Sequence, residues 1–262
     1  MSHLRDELAF YSAKLRQRRA RRITPTLTEY PEHLATLRRD GIVMVPDFVS
    51  TDEIITILDE IATDTDLLTE RTHPTIVKRN ARYLLLEPQK ALPATEAFFS
   101  NTTLSNLARA YLSPHAVPDR PAIQLKVDIA HNAIVDFFHI DEWRYLISAF
   151  LLLTDVGPDQ APLVYLKGSH RQRRWRIPKE KEFYFYYDRK PDGRYVNEES
   201  PYCGCYLPTD ARRIQDRHGY EELTCTAPAG TLIVFDNQGL HRSTPLRSDR
   251  RLILSSYWML PE

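Results

Sequence analysis

The stretch DFFHIDEWRYL, residues 136–146, places an imidazole and a carboxylate two positions apart in an otherwise apolar and aromatic run. Such a run is typical of a β-strand. On a strand, residues i and i+2 project to the same side, so His139 and Asp141 would project together. The spacing therefore indicates two neighbouring ligands of a metal ion. The alternative interpretation is a hydrogen-bonded histidine–aspartate pair at the end of a strand, because a His-x-Asp triplet also arises by chance.

The overall composition indicates a sizeable core and no global charge. The chain has 262 residues, of which 42% are hydrophobic, and its 35 basic residues balance its 35 acidic ones. A net charge of zero gives no electrostatic reason to expect nucleic acid as a partner. No apolar run reaches the roughly 18 residues of a membrane span, and the first residues lack the apolar segment of a secretory signal. We therefore expect a cytoplasmic protein without a membrane span.

The three cysteines are an odd number, which argues against a disulfide framework. We expect free thiols in a reducing compartment. A metal site at Cys203 and Cys205 is the weaker alternative, since no second pair of cysteine or histidine ligands lies nearby in the sequence.

The order of the predicted elements favours a mainly β fold with flanking helices. Short strands dominate after residue 75, and helices dominate before it, which is typical of a double-sheet jelly roll packed by helices. We expect one domain over residues 1–262, with N-terminal helices in 1–39 and a tyrosine-rich, irregular but ordered lid in 171–225. The basic N-terminal helix is a candidate surface for homo-oligomer formation. The predicted helices are 2–22, 28–39, 51–63 and one stretch within 93–112, and the predicted strands are 42–45, 81–87, 122–130, 135–143, 148–156, 161–168, 230–236 and 251–260.

Four blocks of sequence resemble the phytanoyl-CoA dioxygenase family of Fe(II)/2-oxoglutarate-dependent oxygenases, over nearly the whole chain from about residue 40. They occur in the order expected for that family, which is far more specific than the His-x-Asp triplet. The resemblance implies a double-stranded β-helix, or jelly-roll, fold. The blocks are DGIVMVPDFVSTDEI, FFHIDEW, LLLTDVGPDQAPLVYLKGSH and APAGTLIVFDNQGLHRSTPLRSDRRLILSSYW.

The same resemblance implies roles for individual residues. His139, Asp141 and His241 match the three iron ligands. The arginine that holds 2-oxoglutarate matches either Arg251 or Arg250, and we favour Arg251 because alternation then places it on one face with Ile253 and Ser255. Further residues expected near 2-oxoglutarate are Ser243, Lys126 and Gln124.

A count of charges supports an arginine at this place independently of the family. Fe(II) with two neutral histidines and one aspartate carries one positive charge, and 2-oxoglutarate adds two negative charges. The remaining negative charge would be costly in a low-dielectric barrel. One buried arginine removes that cost, and its planar guanidinium matches a carboxylate with two hydrogen bonds.

The reaction that the resemblance implies is oxidation of a C–H bond of a small, polar metabolite by O2, with 2-oxoglutarate converted to succinate and CO2. Asp141 favours hydroxylation, because related halogenases carry a small residue at that position so that chloride can bind iron. Candidate substrate contacts are Arg82, Trp143 and Tyr145, with a solvated edge as the alternative for Arg82 and core packing as the alternative for the two aromatic residues. Two other functions stay open: a catalytically inactive jelly-roll binding protein, and a metal dioxygenase that needs no cosubstrate.

Overall fold

Two antiparallel sheets form the centre of the molecule. The computed structural model describes residues 2–21, 30–63, 76–79, 82–126, 137–187 and 204–260. The strands are β1 (Ile42–Val45), β2 (Ile76–Arg79), β3 (Arg82–Leu86), β4 (Val117–Lys126), β5 (Leu146–Leu152), β6 (Leu163–Leu166), β7 (Glu222–Cys225), β8 (Leu232–Asp236), β9 (His241–Ser243) and β10 (Arg251–Met259). The larger sheet has the order β1-β8-β5-β10-β4-β3-β2, and the smaller one has the order β7-β6-β9.

Alternation along the strands explains how the larger sheet buries both faces. On β10, Leu252 and Leu254 belong to one apolar cluster and Ile253 belongs to another. On β8, Val234 and Phe235 divide in the same way. Successive side chains of a strand point to opposite faces, so a continuous apolar run indicates a sheet covered on both sides.

The two faces of the larger sheet have different coverings. The smaller sheet covers one face, where Leu163, Tyr165 and Cys225 pack against the larger sheet. Helices cover the other face, where Leu37, Ile57 and further helical residues join the cluster that contains Leu252. This arrangement of two packed sheets with helices outside confirms the predicted jelly roll. The helices are α1 (Ser2–Arg21), α2 (Pro31–Asp40), α3 (Thr51–Thr63), α4 (Glu96–Phe99), α5 (Thr102–Tyr111), α6 (Ile177–Tyr187) and α7 (Pro208–His218).

Local signals account for the start of α3. Residues 50–53 read Ser-Thr-Asp-Glu, which is a capping-box pattern. In the structure the Glu53 N–H donates to Ser50 Oγ over 3.3 Å, and the Ser50 N–H donates back to Glu53 Oε2 over 3.0 Å. The predicted helix therefore begins where the sequence places it.

The N-terminal helix α1 docks onto the chain itself. Phe10 is 0% exposed and packs in a second core with Trp143 and Phe183. Lys14 forms an ion pair with the buried Glu180 of α6. The helix α1 thus packs against the chain itself through Phe10, and homo-oligomer formation through α1 stays a prediction. In the part of the chain that the structure describes, no helix is long and apolar enough to span a membrane.

Two expectations about individual segments were wrong. In the described part of 135–143, His139 makes isolated bridges with Cys205 and His241, and Asp141 lies in a bend rather than on a continuous strand. The segment 171–225 is not irregular throughout, because it contains α6, α7 and β7. The segment that forms α6 lacks aliphatic residues at the three- or four-residue spacing that indicates a helix. The sequence therefore suggested a loop there.

Candidate metal centre

Three side chains converge at the edge of the smaller sheet. His139, Asp141 and His241 each offer one ligand atom, and these atoms lie within 4.8 Å of one another. Asp141 Oδ1 is 3.4 Å from His139 Nε2, and Asp141 Oδ2 is 3.3 Å from His241 Nε2. The structure therefore brings together the three residues that the sequence suggested as iron ligands, although one of them comes from a segment about a hundred positions away.

Backbone hydrogen bonds fix the positions of the three ligand residues. His241 is the first residue of β9, and it exchanges hydrogen bonds with His139: the His139 N–H donates to His241 O over 2.9 Å, and the His241 N–H donates to His139 O over 3.2 Å. The Asp141 N–H donates to Asn237 O over 3.2 Å. The bend at Asp141 thus replaces the strand geometry that the sequence suggested, and it still directs the carboxylate toward both imidazoles.

Each imidazole is oriented by its other nitrogen. His139 Nδ1 lies 2.7 Å from Phe137 O, and His241 Nδ1 lies 2.9 Å from Gly239 O. A carbonyl oxygen can only accept, so Nδ1 carries the hydrogen in both rings and Nε2 of a neutral ring keeps its lone pair. Metal-binding histidines are commonly oriented in this way.

The donor set fits a cation. Two nitrogen lone pairs and an acceptor-only carboxylate face one another, and they repel unless a proton or a metal ion lies among them. Burial would lower the pKa of His241, but the Asp141 carboxylate outweighs this effect and raises that pKa above its ordinary value of 6.5. Burial would likewise raise the pKa of Asp141, but the rings of His241 and His139 hold it well below 3.8. The geometry thus favours positive charge at this point, which is what a divalent metal supplies.

Basic and hydroxyl side chains from three adjoining strands form a second cluster near Ser243. Arg251 and Lys126 are paired neighbours on β10 and β4, and both are buried. Lys126 Nζ donates to Ser243 Oγ over 3.2 Å, and Arg251 Nη1 donates to the carbonyl of Ala161. Ser243 follows His241 by two residues on β9, so β9 connects this cluster to the metal centre.

The two candidate arginines differ in burial, and Gln124 lies close to the cluster. Arg250 is exposed, whereas Arg251 is buried. Gln124, also buried, donates from Nε2 to the hydroxyl of Tyr257 over 3.4 Å. Arg251 is the first residue of β10, whereas Arg250 precedes the strand.

Two of the expected substrate residues, Trp143 and Tyr145, are buried in apolar clusters. Trp143 packs in an edge-on contact with Tyr184, with ring centroids 5.2 Å apart, and belongs to the core under α1. Tyr145 lies in the main core, where the Arg21 guanidinium stacks 4.4 Å from its ring centroid. Core packing, the alternative weighed for both residues, describes their positions. The side chain of Arg82 and all of Cys203 lie outside the described residues.

Two features beside the three ligands were not expected from the sequence. The Asn237 side chain donates from Nδ2 to Asp141 Oδ2 over 2.5 Å. Cys205, beside His139 in the bridge, is a buried free cysteine, and burial raises its pKa to about 12. Among the described residues, Cys205 is not one of the converging ligands.

The chain is similar to one known protein family. A family model described as phytanoyl-CoA dioxygenase (PhyH) matches residues 37–252. No curated protein matches the chain.

Several solved structures share the fold at low sequence identity. EctD from S. alaskensis, with 2-oxoglutarate and 5-hydroxyectoine, is 18% identical over 90% of this chain and 79% of that chain, with a TM-score of 0.62. The epimerase SnoN, in complex with Fe3+, alpha ketoglutarate and nogalamycin RO, is 18% identical over 87% and 82% of the two chains, with a TM-score of 0.59. HygX from Streptomyces hygroscopicus, with nickel and 2-oxoglutarate bound, is 13% identical over 90% and 88%, with a TM-score of 0.58.

Proposed function

Because the chain belongs to the phytanoyl-CoA dioxygenase family, we propose that it is an Fe(II)/2-oxoglutarate-dependent dioxygenase that hydroxylates a C–H bond of a small, polar metabolite. The observation that carries this proposal is the convergence of His139, Asp141 and His241. Two imidazoles and one carboxylate are the ligand set of non-haem Fe(II) oxygenases, and they leave coordination positions for other molecules.

The metal would be held by His139 Nε2, His241 Nε2 and an Asp141 carboxylate oxygen. Both imidazoles already have Nδ1 engaged with backbone carbonyls. No side-chain rotation is therefore needed to present the Nε2 lone pairs. The conformational entropy of the two histidine side chains is already lost when the protein folds. Side-chain exposure is 13% for His139, 5% for His241 and 35% for Asp141, so solvent and small molecules would enter on the carboxylate side.

The distal carboxylate of 2-oxoglutarate would bind Arg251. This guanidinium is buried on β10 next to Lys126, and the hydroxyl of Ser243 bonds to Lys126. Two cationic groups in a low-dielectric interior are stabilised by an anion, and a guanidinium can bind a carboxylate with two parallel hydrogen bonds. Lys126 and Ser243 would complete the contacts, with Gln124 nearby on the same strand as Lys126.

When bound, iron and 2-oxoglutarate would supply the oxidation, in which one oxygen atom of O2 would enter succinate as CO2 leaves and the other would enter the product as a hydroxyl group. The residues of this chain bind and orient the reactants and limit the access of water. Asp141 keeps a carboxylate where a halogenase would need an open position. The outcome proposed is therefore hydroxylation, on a substrate that enters from the carboxylate side.

The proposal is tested by measuring succinate formed from 2-oxoglutarate, with and without added Fe(II) and O2. We expect turnover that needs all three components and is stimulated by the true substrate. Arg251→Ala should raise KM for 2-oxoglutarate by at least about 30-fold, since truncating one partner of a buried charge pair costs roughly 2–5 kcal/mol. Its matched control is Arg250→Ala, which removes an exposed arginine one position away.

Each alternative has its own result. Metal-dependent oxidation that is indifferent to 2-oxoglutarate would indicate a cosubstrate-independent dioxygenase. Metal binding without any turnover of 2-oxoglutarate would indicate an inactive jelly-roll binding protein. A raised KM in Arg250→Ala, with Arg251→Ala unchanged, would move the cosubstrate site to the other arginine.

A further inference from the structure

A buried chain of hydrogen bonds connects the larger sheet to the Asp141 carboxylate. The Ser148 hydroxyl, on β5, donates to Asn237 Oδ1 over 2.9 Å. Asn237 Nδ2 in turn donates to Asp141 Oδ2 over 2.5 Å. Ser148 and Asn237 are both 0% exposed. The carboxylate is thus held from the protein interior by groups that solvent does not reach.

The direction of each bond in this chain is fixed by chemistry. An ionised carboxylate only accepts, so Asn237 must turn its NH2 group toward Asp141. Its carbonyl oxygen then faces Ser148, whose hydroxyl can donate. The reverse orientation of the amide would place two acceptors against each other at 2.5 Å, with one of them a carboxylate.

The backbone of Asn237 is also held on both sides. Its N–H donates to Leu146 O over 3.0 Å, at the start of β5, and its carbonyl accepts from the Asp141 N–H over 3.2 Å. Asn237 therefore contacts Asp141 through the main chain and the side chain together. Because it lies in the turn between β8 and β9, it links the larger sheet to the strand that begins with His241.

We propose that Asn237 is a positioning residue that fixes the Asp141 carboxylate in the orientation in which one of its oxygens binds the metal together with both histidines. This inference rests on the proposed function, since it requires Asp141 to be a metal ligand. The amide occupies Oδ2 with a hydrogen bond, which favours binding through one oxygen rather than two. Such partners of metal ligands commonly contribute about 10–100-fold to metal affinity.

The neighbouring residues of the same turn offer a matched control. Asp236 Oδ1 accepts from the Gln238 N–H over 2.9 Å, and Asp236 Oδ2 accepts from the Tyr111 hydroxyl over 2.7 Å. Asp236 also pairs with Arg21 of α1. Asp236 stabilises the turn through these contacts, whereas the Asn237 amide reaches the carboxylate. Asp236→Asn should therefore lower Tm without a matching loss of metal affinity.

The test is a calorimetric titration of the full chain with cobalt(II), together with its visible spectrum and the Tm of the metal-free protein. We expect Asn237→Ala to raise the cobalt(II) Kd by about 10–100-fold and to alter the visible bands. Ser148→Ala, which keeps the amide but removes its orienting donor, should raise Kd by a smaller factor. Asp236→Asn removes a charge that acts on His241 rather than the amide that reaches Asp141, so it should raise Kd by a smaller factor than Asn237→Ala.

Three outcomes overturn the proposal. An unchanged Kd and spectrum in Asn237→Ala, while His139→Ala abolishes binding, would refute the role of Asn237 and leave the metal site intact. Equal losses of affinity in Asn237→Ala and Asp236→Asn would assign the effect to the stability of the turn. A parent protein that binds no cobalt(II), or binds it equally well as His139→Ala, would refute the metal site itself and this inference with it.

Discussion

At the residue scale, the two nitrogens of each imidazole have separate tasks. Nδ1 bonds to a backbone carbonyl, at Phe137 for His139 and at Gly239 for His241, and Nε2 faces Asp141. The His-x-Asp spacing was enough to suggest two of these ligands, because nearby residues on an extended backbone can reach one ion. The bend at Asp141 was not predictable from that spacing, since it depends on the hydrogen bond from Asp141 to a distant turn.

Removal of any single ligand should remove metal binding. His139→Ala, Asp141→Ala and His241→Ala are each expected to raise the Kd for a divalent metal by more than about 100-fold, because even loss of a ligand's hydrogen-bond partner costs 10–100-fold. Calorimetric titration of the purified variants measures this effect. His218→Ala, which removes an exposed histidine on α7, is the matched control and should bind like the parent protein. A ligand variant that retains the parent Kd would exclude that residue from the metal site.

The Asn237 contact was beyond the reach of sequence reasoning. The residues Asp236-Asn237-Gln238-Gly239 read as a turn. The composition of a turn does not predict which distant residue its side chains contact. Arg251 was a different case, because the sequence placed it on a strand with Ile253 and Ser255. In the structure Arg251 begins β10 and is buried, whereas Arg250 precedes the strand and is exposed.

At the scale of single elements, local signals predicted best where they are self-contained. The capping box at the start of α3 involves four consecutive residues, and the structure forms both reciprocal bonds between Ser50 and Glu53. The helix α6 was missed because its helical form depends on packing of Phe183 and Tyr184 against α1, a tertiary contact between segments far apart in sequence. Tertiary packing of this kind supplies most helical stability in proteins.

The capping box gives a prediction with a defined pH dependence. Hydrogen bonds from the Ser50 hydroxyl and N–H lower the pKa of Glu53 below its ordinary value of 4.5. A carboxylate with a lowered pKa contributes stability that is present above the unfolded-state pKa and is lost as pH falls through the folded-state value. We expect Glu53→Gln to lower Tm at pH 7 and to have a smaller effect below pH about 4. Thermal unfolding at both pH values measures the difference, and an equal loss of Tm at both would contradict the assignment.

The docking of α1 predicts a large effect of one substitution and a small effect of its neighbour. Phe10→Ala should reduce the free energy of unfolding by about 3–5 kcal/mol, because it removes a fully buried aromatic side chain from the core shared with α6. Tyr11→Ala, at a side chain that is 41% exposed, should cost much less. Denaturant unfolding of both variants compares the two costs. Equal and small losses would indicate that α1 is not anchored to the rest of the chain.

At the scale of the whole molecule, the two-sheet architecture was predictable and the site at its edge was partly so. Short strand-like segments after residue 75, among them residues 230–236, suggested a double-sheet jelly roll, and the structure has two packed sheets. The pairing order of the strands joins segments far apart in sequence, and residue patterns within single segments do not determine it. The single domain over residues 1–262 stays a prediction.

The most direct test of the central claim is an anaerobic titration of the purified protein with Fe(II) and 2-oxoglutarate, followed by visible absorption. We expect a weak band that requires both components and is lost in His241→Ala, because metal and cosubstrate would then share one site built on His241 and Arg251. The His218→Ala variant should keep the band. If Fe(II) binds and no band forms with 2-oxoglutarate, the cosubstrate site at Arg251 is contradicted, and a metal protein that works without 2-oxoglutarate becomes the better account.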